Sequence, residues 1–267
     1  VKAKRAKALG MEVMIDFHYS DWWADPAKQN IPASWSGHSY EQMKQDLWNH
    51  TVDVLEFLKA NGITPKWIQV GNETRNGFLW SVKSNQWGWP EVDENGNTTI
   101  TESMGHVDYN PEQYAGFFAT GYDACKSVFP ESIVMVHLDN GFDKELYDYN
   151  LGVLKDNGAK WDMIGMSLYP FWALDGGYRT DEDQVITDCI ENIKYIKLPL
   201  KYAITNRTQE VASRVRRVCI VHNVTEERLS AAILWHVNIS LKARIQPALY
   251  VNRLLLITGG FLILLMI

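Results

Sequence analysis

Four short apolar runs recur along the first three-quarters of the chain, each followed by a longer stretch with helical spacing. Glu12–His18 (EVMIDFH), Trp67–Glu73 (WIQVGNE), Ser132–Leu138 (SIVMVHL) and Trp161–Tyr169 (WDMIGMSLY) are short and apolar enough to predict strands. Between the first two, Tyr40–Asn61 carries Met43, Leu47, Val54, Leu55 and Leu58 at helical intervals, and Gly62 stops it. Pro111–Val128 sets Tyr114, Phe117, Phe118 and Tyr122 along one side of a second helix. Asp143–Asn157, ended by Gly158, and Thr180–Ile196 predict two more. The opening VKAKRAKALG reads as the last turns of a helix closed by Gly10, so the chain is expected to begin inside a domain. Apolar strands alternating with amphipathic helices imply a parallel sheet built from β/α units.

Both a doubly wound sheet and a closed barrel fit that alternation. The dinucleotide-binding version of the first calls for a G-x-G-x-x-G turn, and the α/β-hydrolase branch for G-x-S-x-G; neither motif occurs. Polar residues instead mark the C-terminal end of every predicted strand: Asp16 and His18, Asn72 and Glu73, His137 and Asp139, then Tyr169. In a (β/α)8 barrel those ends form one ring around the active site. The expected fold class is therefore α/β, a (β/α)8 barrel of which about four strands are recognisable.

Composition changes this picture at one place. The chain of 267 residues is 46% hydrophobic and 22% charged, as in ordinary globular proteins, and its net charge of −6 disfavours a nucleic-acid partner. Residues 198–267, however, hold nine basic and three acidic side chains, a net +6, against −12 for residues 1–197. Only four of the aromatic residues fall in the tail. The expected organisation is a barrel portion over 1–197 and an unassigned tail over 198–267, an out-of-frame or chimeric translation. The final uncharged run, Leu254–Ile267, falls short of the roughly 20 residues that span a bilayer, so no membrane partner is expected. The first ten residues show no signal-peptide pattern, and three cysteines imply no disulfide framework.

The connections after the strands carry the chemistry. Tyr19–Ser39 and Thr74–Asn110 are long for simple links, and Trp22, Trp23, Trp35, Trp80, Trp87, Trp89 and Trp172 all follow strands. Aromatic faces stack on the C–H faces of sugar rings, so a rim this rich in indoles reads as a carbohydrate cleft. Packing of the loops alone explains any single tryptophan. Glycoside hydrolysis needs a carboxyl group able to protonate the leaving oxygen, and Glu73 at a barrel mouth would have its pKa raised by burial. Asn72 beside it can bond a sugar hydroxyl. Asp16, His18, Asp21, Asp25 and His38 match no metal-ligand spacing, so no metal or cofactor is expected. His18 is read as lining the cleft with Asp16 beneath it. His137 and Asp139 are read either as a cleft-lining pair or as a satisfied pair under a loop.

The motifs HYSDWWADPAKQNIPASW (His18–Trp35), WIQVGNET with GFLW (Trp67–Thr74, Gly77–Trp80), VHLDNG (Val136–Gly141) and IGMSLYPFW (Ile164–Trp172) resemble glycoside hydrolase family 53, the endo-β-1,4-galactanases acting on type I (arabino)galactan. The resemblance covers about residues 1–197. It implies a retaining (β/α)8 enzyme, a galactan partner and a secreted or cell-envelope location. It gives Glu73 the role of general acid/base and makes Asn72 its partner at the sugar 2-hydroxyl. His18 becomes the motif histidine after the third strand, Tyr169 the sixth-strand tyrosine near the nucleophile, and Trp22, Trp23, Trp80 and Trp172 sugar platforms. Leu168 departs from the family's S-Y-Y-P at this motif.

Two family features are missing. The first two strands, with an active-site arginine, should precede Val1. A V-E-T-G-like motif carrying the nucleophile should follow Ile196, and neither Glu210 nor Glu226-Glu227 has its context, so no nucleophile is assigned. The chain as written is expected to fold poorly and turn over little galactan. Alternatives are a non-catalytic galactan-binding protein, a retaining β-glycanase acting on mannan or glucan, and a tail-anchored interaction protein.

Overall fold

The computed structural model describes residues 1–97, 103–197 and 262–266. Helix α1 (Lys2–Ala8) closes at Gly10, whose φ of +72° a side chain would resist, and the chain turns into β1 (Glu12–Phe17). A 3-10 turn at Ala33–Trp35 precedes α2 (Tyr40–Ala60), whose N-terminus is fixed by a capping box between Ser39 and Gln42. Strand β2 (Trp67–Val70), α3 (Pro111–Val128) and β3 (Ile133–Leu138) follow. Next come α4 (Lys144–Asp156), capped by Asp143, and β4 (Met163–Met166). The short α5 (Pro170–Asp175) and α6 (Glu182–Lys197) complete the order up to residue 197.

All four expected strands are present, as are the four expected helices that follow them and the opening helical turns. The additions are small. The apolar pattern carries the fourth strand on to Tyr169, whereas pairing in β4 stops at Met166 and helix α5 follows. Pro170 then opens a helix at its first position, where a missing N–H costs nothing.

With a fifth strand, β5 (Leu262–Met266), the sheet order is β4-β3-β2-β1-β5. Strands β1 to β4 lie side by side in chain order, all parallel, as in a singly wound barrel wall. A doubly wound sheet reverses direction from a central strand; over β1 to β4 this order runs one way. Strand β5 (Leu262–Met266), from the uncharged C-terminal run, pairs parallel along β1. Among the described residues no helix is long and apolar enough to cross a membrane. Glu210, Glu226 and Glu227 lie outside the described residues.

Strand alternation sorts the side chains onto two faces. Val13, Ile15, Phe17, Ile68, Val70, Val134, Val136, Leu138 and Ile164 join the main core under the helices. Met14, Met135 and Met163 form a separate cluster with Trp67 and Ile133 on the other face. Helix α3 seats closely on the sheet because Gly121 leaves room for Val70; a Cβ there would lie 2.7 Å from the Val70 Cγ1. On the methionine-lined face, moving toward the C-terminal ends, the residues turn polar: Asp16, Gln69 and His137.

Candidate active site

The polar residues of that face form one continuous hydrogen-bonded chain across four strand ends. His18 Nδ1 accepts the Ala24 N–H at 2.9 Å, so its other ring nitrogen carries the proton and donates to Asp16 Oδ2 at 3.2 Å. Gln69 Nε2 donates to Asp16 Oδ1 at 2.6 Å and to Asn72 Oδ1 at 3.2 Å. Asn72 Nδ2 donates to the Ala24 carbonyl at 2.9 Å, which fixes the orientation of the amide. His137 Nδ1 lies 2.9 Å from Asn72 Oδ1, and His137 Nε2 lies 2.9 Å from Ser167 Oγ. Gly165 pairs with His137 in register, and its missing side chain gives the imidazole space: a Cβ there would sit 3.1 Å from the ring.

Glu73 stands at the end of this chain, three residues beyond β2. Its backbone is left-handed, with φ of +50°, and Gly71 just before it has φ of +75°. A non-glycine residue held there stores local strain, a feature that clusters at functional sites. Surrounding contacts hold the conformation. The Glu73 N–H donates toward His137 Nδ1 at 3.2 Å, the Thr74 N–H bonds the His137 carbonyl at 3.0 Å, and Gln29 Nε2 bonds the Asn72 carbonyl at 2.7 Å. Burial raises the Glu73 pKa above the usual carboxylate range. The Ser167 hydroxyl opposes that shift, Asp25 adds to it and Arg75 opposes it. Such a carboxyl holds its proton longer than a solvated one, which is the property of a general acid.

A second carboxyl lies nearby. Asp139 is pushed up to about 7, first by burial, with Arg75 opposing and Glu73 adding. Arg75 reaches its Oδ2 at 3.4 Å, while its buried Oδ1 has no partner. Burial also raises Asp16, against the pull of His18 and Gln69. His137 is pushed down to about 4 by burial, with His18 adding, so the ring is neutral at ordinary pH. His137 and Asp139 therefore do different things: the first is a bonded member of the chain, the second an under-satisfied acid beside Glu73.

The aromatic rim divides into exposed and buried members. Trp22, Trp23 and Trp172 are 41%, 56% and 60% exposed, and Tyr169 is likewise exposed. Trp23 sits edge-on to His18, with ring centroids 5.2 Å apart. Trp22 covers Gly88, between the exposed Trp87 and Trp89, and Lys28 lies over the Trp89 ring. Trp80 corrects the expectation of a sugar platform. It is 1% exposed, stacks on His106 and donates its ring N–H to the Asn76 carbonyl, so it offers no face to a ligand. Trp35 is also packed in the core.

The polar residues after β1 do not gather around one point. His38 pairs with Asp46 on α2, Asp21 accepts from the Ala33 N–H, and Asp25 holds Lys28. Among the described residues no group of three or more His, Cys, Asp or Glu side chains is placed to hold a metal ion. Gln69, Arg75 and Ser167 were missed as site residues. Gln69 had a sequence cue, a polar residue inside an otherwise apolar strand.

Comparison with known proteins adds independent support. Residues 1–196 match the profile described as Glycosyl hydrolase family 53. An uncharacterised protein of Niallia circulans is 37% identical over 174 residues, 64% of this chain and 42% of that protein. The arabinogalactan endo-beta-1,4-galactanase of Thermothelomyces thermophilus is 35% identical over 175 residues, 64% of this chain and 46% of that protein. The chain thus spans less than half the length of these relatives. Among solved structures, the Ignisphaera aggregans GH53 catalytic domain superposes with a TM-score of 0.58 at 30% identity, covering 72% of this chain and 45% of that one. A structure from a study of two fungal beta-1,4-galactanases gives the same TM-score and identity, covering 73% and 51%. With a matching profile over most of its length, a sequential parallel barrel wall and neighbours of the same class, this chain belongs to glycosyl hydrolase family 53.

Proposed function

We propose that the site is the proton-donating side of a retaining endo-β-1,4-galactanase, with Glu73 as general acid/base and galactan as the polysaccharide partner. The observation that carries this reading is the carboxyl of Glu73 at the C-terminal edge of a barrel wall, its pKa raised by burial, at the end of a polar chain whose His18 meets the exposed Trp23. The relatives named as galactanases supply the substrate class. In the proposed reaction Glu73 protonates the galactosyl oxygen that leaves, and a second carboxylate attacks the anomeric carbon. Glu73 then deprotonates the water that releases the sugar. The two groups of such a pair stand roughly 5–5.5 Å apart. The second is not assigned to any described residue. Asn72 bonds the 2-hydroxyl, Asp16, His18, His137 and Asp139 shape and charge the floor, and Trp22, Trp23, Trp172 and Tyr169 line the sugar path. A polymeric substrate too large to enter a cell places this work outside the cytoplasm.

The purified 267-residue chain should bind β-1,4-galactotetraose, read by tryptophan fluorescence, and bind β-1,4-mannotetraose and cellotetraose much more weakly. Glu73→Gln should keep that binding and remove whatever galactan hydrolysis the chain shows, by a factor of about 100 or more. Equal binding of all three tetrasaccharides, or hydrolysis indifferent to Glu73→Gln, would overturn the reading.

A further inference from the structure

His137 Nδ1 is placed between two partners that require opposite protonation of the ring. Asn72 Oδ1 at 2.9 Å is an acceptor, because turning the amide round would set its oxygen against the Ala24 carbonyl. That contact needs a proton on Nδ1. The Glu73 N–H at 3.2 Å is a donor and needs a lone pair on the same nitrogen. A neutral imidazole satisfies one of them at a time. The choice is passed to the far side of the ring, where Nε2 meets Ser167 Oγ at 2.9 Å. The same hydroxyl acts on the Glu73 carboxyl and favours its ionised form.

Each ring tautomer therefore fits one state of Glu73. With the proton on Nδ1, the ring donates to Asn72, and Nε2 accepts the Ser167 hydroxyl. The serine oxygen is then free to accept from a protonated Glu73. With the proton on Nε2, the ring donates to Ser167, the serine hydroxyl turns to the Glu73 carboxylate, and Nδ1 accepts the Glu73 N–H. We propose that Ser167 is a positioning residue for the proton donor and that the tautomer of His137 follows the protonation state of Glu73 through it. The proton count closes. Glu73 loses one proton, Ser167 keeps one, and the ring keeps one, exchanged between its two nitrogens through solvent. The depressed basicity of His137 keeps the ring neutral while this happens.

Most other charged groups at this place are held by their own partners; Asp139, with one oxygen unpartnered, is pushed up to about 7 and stands beside Glu73, so the expected switch is followed at His137 itself. Asp16 on β1 is held by His18 and Gln69, and Asp25 after β1 by Lys28. Arg75 beyond β2 holds Asp139 beyond β3. On α4, Tyr147 donates to the Leu138 carbonyl. Among these groups only His137 has bonds on one ring nitrogen that demand both states.

This inference rests on the reading of Glu73 as the acid, and it is tested by a measurement that needs no turnover. In the full chain labelled with 15N-histidine, the His137 ring signals, assigned by their loss in His137→Gln, report which nitrogen is protonated. The expected result is a change from Nδ1–H to Nε2–H as pH rises through the titration of Glu73. Glu73→Gln, whose amide donates as a protonated acid does, should hold the ring in the Nδ1–H form at every pH. Ser167→Ala should do the same and move the Glu73 midpoint upward, because a donor to the carboxylate is gone. Ser167→Thr, which keeps the hydroxyl, should restore the change. A tautomer constant from pH 4 to 8 in the unsubstituted chain would overturn the proposal, as would a change that persists in Ser167→Ala. If Glu73→Gln removes hydrolysis while the tautomer stays constant, the relay fails and the acid assignment stands. If the tautomer switches while hydrolysis ignores Glu73→Gln, the acid assignment fails alone.

Discussion

Position 73 shows how a single residue meets two opposed demands. The carboxyl must stand at the strand end with its backbone in the left-handed region, where a Cβ costs about 1–2 kcal/mol. Tyr19 and Asn140, which follow β1 and β3, share that backbone with φ of +51° and +48°. The chain thus turns sharply where it leaves β1, β2 and β3 toward the cleft. Relief of the strain gives a prediction independent of catalysis. Glu73→Gly should be more stable than Glu73→Ala by about 1 kcal/mol in urea unfolding, although glycine usually loses such a comparison. An alanine variant as stable as the glycine one would mean that the strain is not stored there.

At the level of elements, the contact of α3 with β2 decides how well the site is supported. Gly121 faces Val70, the last residue of the strand that leads into Glu73. An alanine at 121 gains about 1 kcal/mol of helix propensity. It also puts a methyl 2.7 Å from a β-branched, fully buried side chain, and overpacking of this kind costs about 1–3 kcal/mol. We expect Gly121→Ala to be destabilising on balance by about 1 kcal/mol. The double variant with Val70→Ala should lose less than the two single losses combined. Strict additivity in that double-mutant cycle would contradict the packing argument. The helices and strands themselves were readable from apolar spacing, because burial on one face is a local rule. Helix α5 was not, since its six residues are fewer than two turns and expose Phe171 and Trp172.

For the molecule as a whole, two buried titratable groups at the cleft pull stability in opposite directions over the same pH range. His137 titrates near 4 when folded against 6.5 ordinarily, so below about 6.5 the unfolded chain gains a proton that the folded chain refuses. Stability contributed by this ring is lost as pH falls from about 6.5 to 4, by at most about 3 kcal/mol. Asp139 titrates near 7 against 3.8. Between about 4 and 7 the unfolded chain has ionised this acid and the folded chain has not, so stability falls as pH rises, by at most about 4 kcal/mol. The two windows overlap with opposite slopes, so in unfolding midpoints followed from pH 4 to 7 His137→Gln should make stability fall more steeply as pH rises, and Asp139→Asn should make it rise with pH. Unchanged slopes in both variants would refute the assignment. The cleft is thus held together by groups that would be more stable elsewhere, which is the usual bargain of a catalytic site.

The sequence by itself determined the β/α alternation, the ring of polar residues at the strand ends and the compositional break after Lys197. These follow from local periodicity, where residues two or four positions apart share a face. It also carried enough motif to point to the family before any coordinates. Only the tertiary structure decided which polar groups meet. Gln69 joins Asp16 to Asn72, Ser167 reaches His137 from the fourth strand, and Trp80 turns inward onto His106. Those contacts depend on the register of strands and loops tens of residues apart, and no local pattern of apolar and polar positions encodes that register.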